Sequence, residues 1–144
     1  MLILACDHGG FELKEQIKGY LASKNFQFFD VGAGSLKPMD GFSDYIENFI
    51  KKMREDKDNR GIIMCGTGIA MSIGANRAKG IRAALCHRTE YAQLAREHNN
   101  ANVLCLGGRF ISFDDAKKII DVFLNTKFLG GKYKKRMDIC DTIN

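Results

Sequence analysis

The stretch GIIMCGTGIAMSIGANR, residues 61–77, decides the fold of this chain. Its apolar start predicts a buried strand over residues 61–65, and the segment after the glycines predicts a helix over residues 67–78. Gly66 lies between the two and Gly68 in the first turn of the helix, so the chain turns tightly where the strand ends and the helix begins. A strand followed by a helix is the repeating unit of parallel α/β sheets.

The same alternation of short apolar runs and helical segments extends over the rest of the chain. Further strands are predicted at residues 2–6, 27–31, 82–86 and 102–106. An amphipathic helix is predicted around Leu13, Ile17, Tyr20 and Leu21, and others at residues 43–54, 89–98 and 114–125, the last beginning at Asp114 and Asp115. A sixth helical segment, residues 133–143, has no strand after it, and we expect it to cap the sheet or to pack on a partner chain. The sequence therefore predicts an α/β fold with a five-stranded parallel sheet and an extra C-terminal helix.

Length and composition restrict the class of protein. The 144 residues predict one domain spanning 1–144, and no apolar run reaches the roughly 18 residues of a membrane span. The start reads as a first strand and not as a signal peptide, so we expect a cytoplasmic protein with no membrane partner. The five cysteines are an odd number without a CxxC pair, which argues against a disulfide framework or a zinc knuckle.

The basic charge balance leaves two kinds of ligand to consider. The formal net charge of +5 permits nucleic acid but equally suits a small phosphorylated metabolite. The C-terminal cluster GGKYKKRMD is accompanied by no known nucleic-acid-binding motif. We therefore expect a metabolite phosphate and no nucleic acid.

Several polar residues directly follow predicted strands, where ligands bind to open parallel sheets. Asp7 and His8 follow the first strand, the turn at residues 65–68 follows the third, and Arg109 follows the fifth. His98 ends the helix that leads into the fifth strand. Each has a structural alternative: Asp7 as a helix cap beside a surface histidine, His98 as a cap or a solvated residue, and Arg109 as a surface charge. For the cations of residues 132–136 the alternative is a solvated helix face.

Cys65 is the candidate for chemistry in the glycine turn. A helix N-terminus presents unpaired amides and a positive dipole end, so an anion fits there and the thiolate of Cys65 is stabilised. Met71 stands where a dinucleotide fingerprint needs glycine and where a cysteine phosphatase loop needs arginine, which excludes both motifs. For Cys6, Cys86 and Cys105, which lie in apolar strands, we favour a structural role.

Long motifs of the chain resemble the sugar-phosphate isomerases of the ribose-5-phosphate isomerase B and galactose-6-phosphate isomerase (LacA/LacB) family. These motifs are CDHGGFELK at 6–14, CGTGIAMSIGANR at 65–77, GIRAAL at 80–85, AREHNNANVLCLGGR at 95–109 and GGKYKKRMDIC at 130–140. The resemblance implies a Rossmann-like three-layer fold and aldose–ketose isomerisation without a metal or organic cofactor. It also implies a homodimer with active sites at the subunit interface, and leaves a tetramer open.

The resemblance further implies a role for each site residue. The cysteine at Cys65 moves a proton between C1 and C2, and the turn that contains Thr67 holds the enediolate oxygen. Asp7 and His98 match the positions that open the furanose ring. The substrate-binding positions that it implies are His8, Gly66, Gly68, Ile69, Ala70, Asn99, Arg109, Lys132 and Arg136.

The chain departs from the family pattern at several positions. Lys132 stands where many members of the ribose branch have arginine, Ala70 replaces a glycine, and GFSDY at 41–45 replaces the common DYPDY. In another branch of the family, a glutamate at the position of Met71 is the base. Because this chain has methionine there, Cys65 is the candidate base. The leading hypothesis is isomerisation of ribose 5-phosphate; a six-carbon aldose 6-phosphate, such as galactose or allose 6-phosphate, and a noncatalytic sugar-phosphate sensor are the alternatives.

Overall fold

The computed structural model describes residues 1–143, which form one parallel sheet with helices on both faces. The strands are β1 (Leu2–Cys6), β2 (Phe28–Asp30), β3 (Arg60–Cys65), β4 (Ala83–Leu85) and β5 (Val103–Gly107). The helices are α1 (Phe11–Ser23), α2 (Ser43–Met53), α3 (Ile69–Asn76), α4 (Thr89–Asn99), α5 (Phe113–Asn125) and α6 (Gly131–Cys140). All six helices and five strands predicted from the sequence are confirmed, with shifted ends.

The sheet has the strand order β2-β1-β3-β5-β4, with every neighbouring pair parallel. The chain passes from β1 to β2 on one side and then to β3 on the other side of β1. The connections that leave β1 and β3 therefore run in opposite directions, which opens a crevice at the carboxyl ends of these two strands. This crevice is where the sequence places its candidate site.

Alternate residues of the central strands enter two separate cores, one on each face of the sheet. Leu4, Ile62 and Leu104 pack with apolar residues of α1, α4 and α5 on one face. Ile3, Ile63 and Val103 pack with residues of α2 and α3 on the other. Because strand side chains alternate between faces, a strand buried on both sides is apolar throughout. The three-layer α/β/α architecture is confirmed.

Two helix starts and one short element differ from the sequence prediction for identifiable reasons. Helix α3 begins at Ile69 and not at residue 67, because Gly68 takes the left-handed conformation with φ of 79°. Helix α5 is capped by Ser112, whose Oγ accepts from the N–H of Asp115, so the cap lies before the two aspartates. A short 3₁₀ turn, His8–Gly10, was not predicted; it extends the end of β1 into the site.

The C-terminal helix α6 packs on α4 and buries none of its own residues. Its cations therefore stay available at the surface. No helix within residues 1–143 is long and apolar enough to cross a membrane.

Candidate active site

Three loops meet at the carboxyl edge of the sheet and carry the first group of site residues. Cys65 ends β3 and is paired in register with Gly107, the last residue of the neighbouring β5. The N–H of Gly108 donates to the carbonyl of Cys65 at 2.8 Å, and the N–H of Arg109 donates to that of Gly66 at 3.0 Å. The end of β5 thus fixes the glycine turn from one side.

Glycines allow these loops to pack without side chains between them. A Cβ placed on Gly107 would lie 2.7 Å from the carbonyl oxygen of Thr67, and one on Gly9 would lie 2.6 Å from the backbone nitrogen of Gly66. Both distances are shorter than Cβ contacts that proteins tolerate. The loop after β1 therefore lies directly against the turn after β3.

The thiol of Cys65 points at the start of α3. The N–H of Gly68 donates to Sγ at 3.1 Å, and the residue is only 4% exposed. The hydroxyl of Thr67 accepts from the N–H of Ile69 at 3.2 Å and so caps the helix. Among residues 1–143, the N–H groups of Gly66, Thr67 and Ala70 find no acceptor. The turn therefore offers three unpaired donors beside a sulfur atom that already accepts a fourth.

Asp7 closes the crevice on the side of β1. Its Oδ1 accepts from the N–H of Gly9 at 2.8 Å, so it caps the 3₁₀ turn. Burial raises the pKa of this carboxyl, and the hydrogen bond from Gly9 only partly offsets that effect. The structural alternative for Asp7 is thus present in the geometry, together with a buried carboxyl whose raised pKa suits proton exchange.

His8 and Arg109 lie beside the turn on its outer side. The Nε2 atom of His8 is 3.5 Å from a terminal nitrogen of the Arg109 guanidinium. That guanidinium covers Gly66, because a Cβ on Gly66 would lie 3.2 Å from its Cζ. A planar guanidinium with an imidazole at its side is a suitable pair for a phosphate group.

Asp40 is a site residue that the sequence analysis missed. Its Oδ1 accepts from the backbone N–H of His8 at 2.8 Å and lies 3.0 Å from Nδ1 of that histidine, while Tyr45 donates to its Oδ2 at 2.7 Å. Asp40 and His8 are 32 residues apart. No spacing rule connects such positions, and only the irregular glycine-rich loop at residues 32–41 could have drawn attention to this region.

A second group of predicted residues lies elsewhere in the chain. The His98 ring stacks on the Tyr133 ring with centroids 4.1 Å apart and planes 9° from parallel. Lys132 and Arg136 lie over the same tyrosine ring, at 5.2 and 5.9 Å from its centroid. The side chain of Asn99, at the end of α4, reaches Met137 of α6 at 3.7 Å. We call His98, Asn99, Lys132 and Arg136 the α4–α6 group.

The structure does not bring the α4–α6 group to Cys65 within one chain. Helix α4 begins after the carboxyl end of β4 and ends at Asn99, before the amino end of β5. Cys65 is level with the opposite end of β5. Five strand residues span about 16 Å, so the two groups face opposite edges of the sheet.

The surface beside the α4–α6 group is concave and partly apolar. A cleft of about 870 Å³ runs along the edge strand β4, between the end of α3 and the helices α4 and α6. Asn99 and Met137 line it, and Cys65 does not. On α3, the side chains of Ile69 and Ile73 are 51% and 59% exposed. Both isoleucines lie on one helix face that starts at the Cys65 turn.

Comparison with known proteins identifies relatives over nearly the whole length. The family model described as ribose/galactose isomerase matches residues 2–140. A probable ribose-5-phosphate isomerase B of Mycoplasma pneumoniae is 40% identical, over 94% of this chain and 90% of that protein. The ribose-5-phosphate isomerase B of Escherichia coli is 34% identical, over 99% of this chain and 95% of its own length.

Solved structures have the same fold. The crystal structure of a ribose 5-phosphate isomerase from Thermotoga maritima matches with a TM-score of 0.94 and 44% identity, over 99% of this chain and 97% of that one. The ribose-5-phosphate isomerase B of Mycoplasma genitalium, solved with bound ribulose-5-phosphate, matches with a TM-score of 0.93 and 38% identity. That match covers 97% of this chain and 93% of the other.

Proposed function

This chain belongs to the ribose/galactose isomerase family of aldose–ketose isomerases, and from this premise we propose that it interconverts D-ribose 5-phosphate and D-ribulose 5-phosphate. The relatives that bear that name support a pentose phosphate as substrate, as does the Mycoplasma genitalium enzyme with its bound ribulose-5-phosphate. The reaction proceeds through an enediolate, with Cys65 as the base that moves the proton.

One observation carries this proposal: the sulfur of Cys65 accepts the N–H of Gly68 in a turn with three unpaired amides. This contact holds the sulfur beside the unpaired amides, where it can reach a carbon whose oxygen those amides bind. The thiolate removes the proton from C2 of the open-chain aldose. The bonding pair forms the C1–C2 double bond, and the carbonyl electrons move to O1.

The second half of the reaction returns the same proton. Cys65 gives it to C1, the proton on O2 passes to O1, and O2 becomes the ketone oxygen. Negative charge develops on oxygen during both steps. The unpaired N–H groups of Gly66, Thr67 and Ala70 are fixed by the backbone before the substrate arrives, so they stabilise this charge without rearrangement.

Opening of the furanose ring needs a proton removed from O1 and a proton delivered to the ring oxygen. We assign these transfers to Asp7 and His98, and phosphate binding to His8, Arg109, Lys132 and Arg136. Asp7 lies at the carboxyl edge of the sheet and the α4–α6 group at the other edge. A complete site therefore needs the α4–α6 group of a second copy, in a homodimer.

Features of the surface support such a dimer. The apolar face formed by Ile69 and Ile73 begins at the Cys65 turn. It stays exposed to water unless a partner covers it. The cleft along β4 leaves the α4–α6 side open to a second chain. A location in the cytoplasm is supported by the five free thiols, which persist in reducing compartments.

Replacement of Cys65 tests the proposed chemistry. Cys65→Ser keeps an acceptor for the N–H of Gly68 but removes an acidic thiol, so we expect kcat to fall by about 10²–10⁴-fold, the range of general acid–base catalysis. The matched control is Cys86→Ser, which changes a buried thiol in the core on the other face of the sheet and should retain turnover. Near-normal turnover of Cys65→Ser, measured on ribose 5-phosphate, would contradict the mechanism. If the unaltered protein were inactive on ribose, allose and galactose phosphates, that result would favour the sensor alternative.

Mixing of two inactive variants tests the shared site. Cys65→Ala and His98→Ala homodimers should both be impaired, whereas dimers re-formed from a mixture contain one site with both residues intact. We expect activity to reappear after the mixture is unfolded and refolded together. A mixture that forms mixed dimers, as shown by mass spectrometry, but regains no activity would rule out a site built from two chains.

A further inference from the structure

The imidazole of His8 is held by a residue from a distant loop. Its Nδ1 lies 2.8 Å from the carbonyl oxygen of Asp40 and 3.0 Å from Oδ1 of the same residue. The backbone N–H of His8 donates to this Oδ1 at 2.8 Å. Asp40 thus makes three contacts to one histidine, and its side chain is 7% exposed.

These partners determine which ring nitrogen carries the proton. Both atoms that face Nδ1 are acceptors, so Nδ1 must donate. Nε2 faces a nitrogen of Arg109, which can only donate, and so it presents its lone pair. The neutral imidazole of His8 is therefore assigned as the Nδ1–H tautomer, with Nε2 turned to the crevice.

Tyr45 completes the arrangement behind Asp40. Its hydroxyl donates to Oδ2 of Asp40 at 2.7 Å, and this bond raises the pKa of Tyr45 to about 12. Burial alone would raise the pKa of Asp40, but hydrogen bonds from Tyr45 and His8 outweigh burial and lower it. Asp40 is thus a carboxylate at neutral pH. Tyr45 stays protonated and donates a hydrogen bond to this carboxylate.

We propose that Asp40, held by Tyr45, is a positioning residue that fixes His8 as the Nδ1–H tautomer, so that Nε2 accepts from Arg109 and holds its guanidinium toward the phosphate of the substrate. The phosphate part rests on the proposed function, whereas the tautomer part does not. Asp40 is the last residue but one of the glycine-rich loop at residues 32–41, so this contact also attaches that loop to the site.

The tautomer is tested directly by long-range proton–nitrogen correlation NMR of the imidazoles, at a pH above the ordinary histidine range. The chain has three histidines, and the signal of His8 is the one lost in His8→Gln. We expect the Nδ1–H pattern in the unaltered protein and a shift toward the Nε2–H pattern in Asp40→Ala. The matched control is Asp44→Ala, a carboxylate of the same segment that contacts Gly41 and not His8. An Nε2–H pattern in the unaltered protein, or no change in Asp40→Ala, would overturn the proposal.

Kinetics test the effect on the substrate. Asp40→Ala should raise KM for ribose 5-phosphate about tenfold, equivalent to about 1.4 kcal/mol, with a much smaller change in kcat. Asp40→Asn, which keeps Oδ1 as an acceptor, should recover most of the affinity. In a His8→Ala background, Asp40→Ala should add little, because it acts through His8.

The possible results separate this proposal from the proposed function. Additive effects of Asp40→Ala and His8→Ala, or an unchanged KM in Asp40→Ala, would overturn the positioning role. A protein without isomerase activity would refute the proposed function while the NMR test of the tautomer still stands.

Discussion

Gly68 is the residue whose backbone presents an N–H to the sulfur of Cys65, and Gly68→Ala should damage both stability and activity. Its φ of +79° lies in the left-handed region. A Cβ at this position would lie 2.5 Å from a methyl of Leu85 and 2.9 and 3.0 Å from the carbonyl carbon and oxygen of Leu106. The Leu85 methyl can move, but the Leu106 backbone belongs to β5 and is held in the sheet.

The cost follows from two contributions. A left-handed conformation costs a residue with a Cβ about 1–2 kcal/mol. Overpacking against a fixed backbone adds about 1–3 kcal/mol. We expect a loss of about 3 kcal/mol in the free energy of unfolding, or about 10 °C in Tm for a chain of this length.

Gly80→Ala is the matched control, since Gly80 has a φ of +85° and nothing within 4 Å of its Cβ position. It should lose only the conformational contribution, about 1 kcal/mol. Urea denaturation measures both variants, and kcat should fall about 10²-fold only in Gly68→Ala, as when one preorganised donor is displaced. Equal stability of the two variants would refute the packing argument, and full activity of Gly68→Ala would refute a role for this amide.

Three further predictions concern buried or stacked polar residues. Burial raises the pKa of Asp7 above 3.8, so the folded state binds more protons than the unfolded state between the two pKa values and stability falls as pH rises through that window. Asp7→Asn should therefore be more stable than the unaltered protein at neutral pH while losing isomerase activity; urea denaturation over a pH series checks this, and a lower stability would contradict it. Lys14 is fully buried and donates to Asp30 and to the carbonyl of Ala33, so Lys14→Met should cost about 2–3 kcal/mol in urea denaturation. The control Lys18→Met removes a partly exposed ion pair with the same aspartate and should cost under about 1 kcal/mol; equal losses would show that burial is not the cause. His98→Ala should slow reaction of the furanose more than that of an open-chain substrate, in a comparison of initial rates, and equal losses would argue against a role in ring opening.

The fold could be predicted because each strand and helix has a local pattern. The strands of the central sheet are apolar on both faces, and the helices that pack on the sheet, α1 to α5, present apolar residues to its two cores. The ends were less accurate, since the start of α3 depends on the left-handed Gly68 and the cap of α5 on Ser112. Each of these ends depends on one residue, whereas the hydrophobic pattern that predicts a helix is averaged over several residues.

The candidate site was predictable only in part. Asp7, His8, Cys65 and Arg109 follow strand ends, and the rule for parallel sheets places such residues together. Asp40 follows no strand and lies in an irregular loop, so its contacts to His8 are visible only in the folded chain. Tyr133, which stacks on His98, lies in a helix whose packing partner the sequence left open.

The sequence alone determined the order of strands and helices, the glycine turn with its cysteine, and the resemblance to a family, because these depend on residues that are neighbours along the chain. The tertiary structure decided that Gly68 donates to the sulfur of Cys65, that Asp40 holds His8, and that the α4–α6 group faces the opposite edge of the sheet. The contact between Asp40 and His8 joins residues 32 positions apart, and the one between Gly68 and Cys65 depends on the left-handed backbone of Gly68. Their geometry depends on how the layers pack, and no local pattern records it.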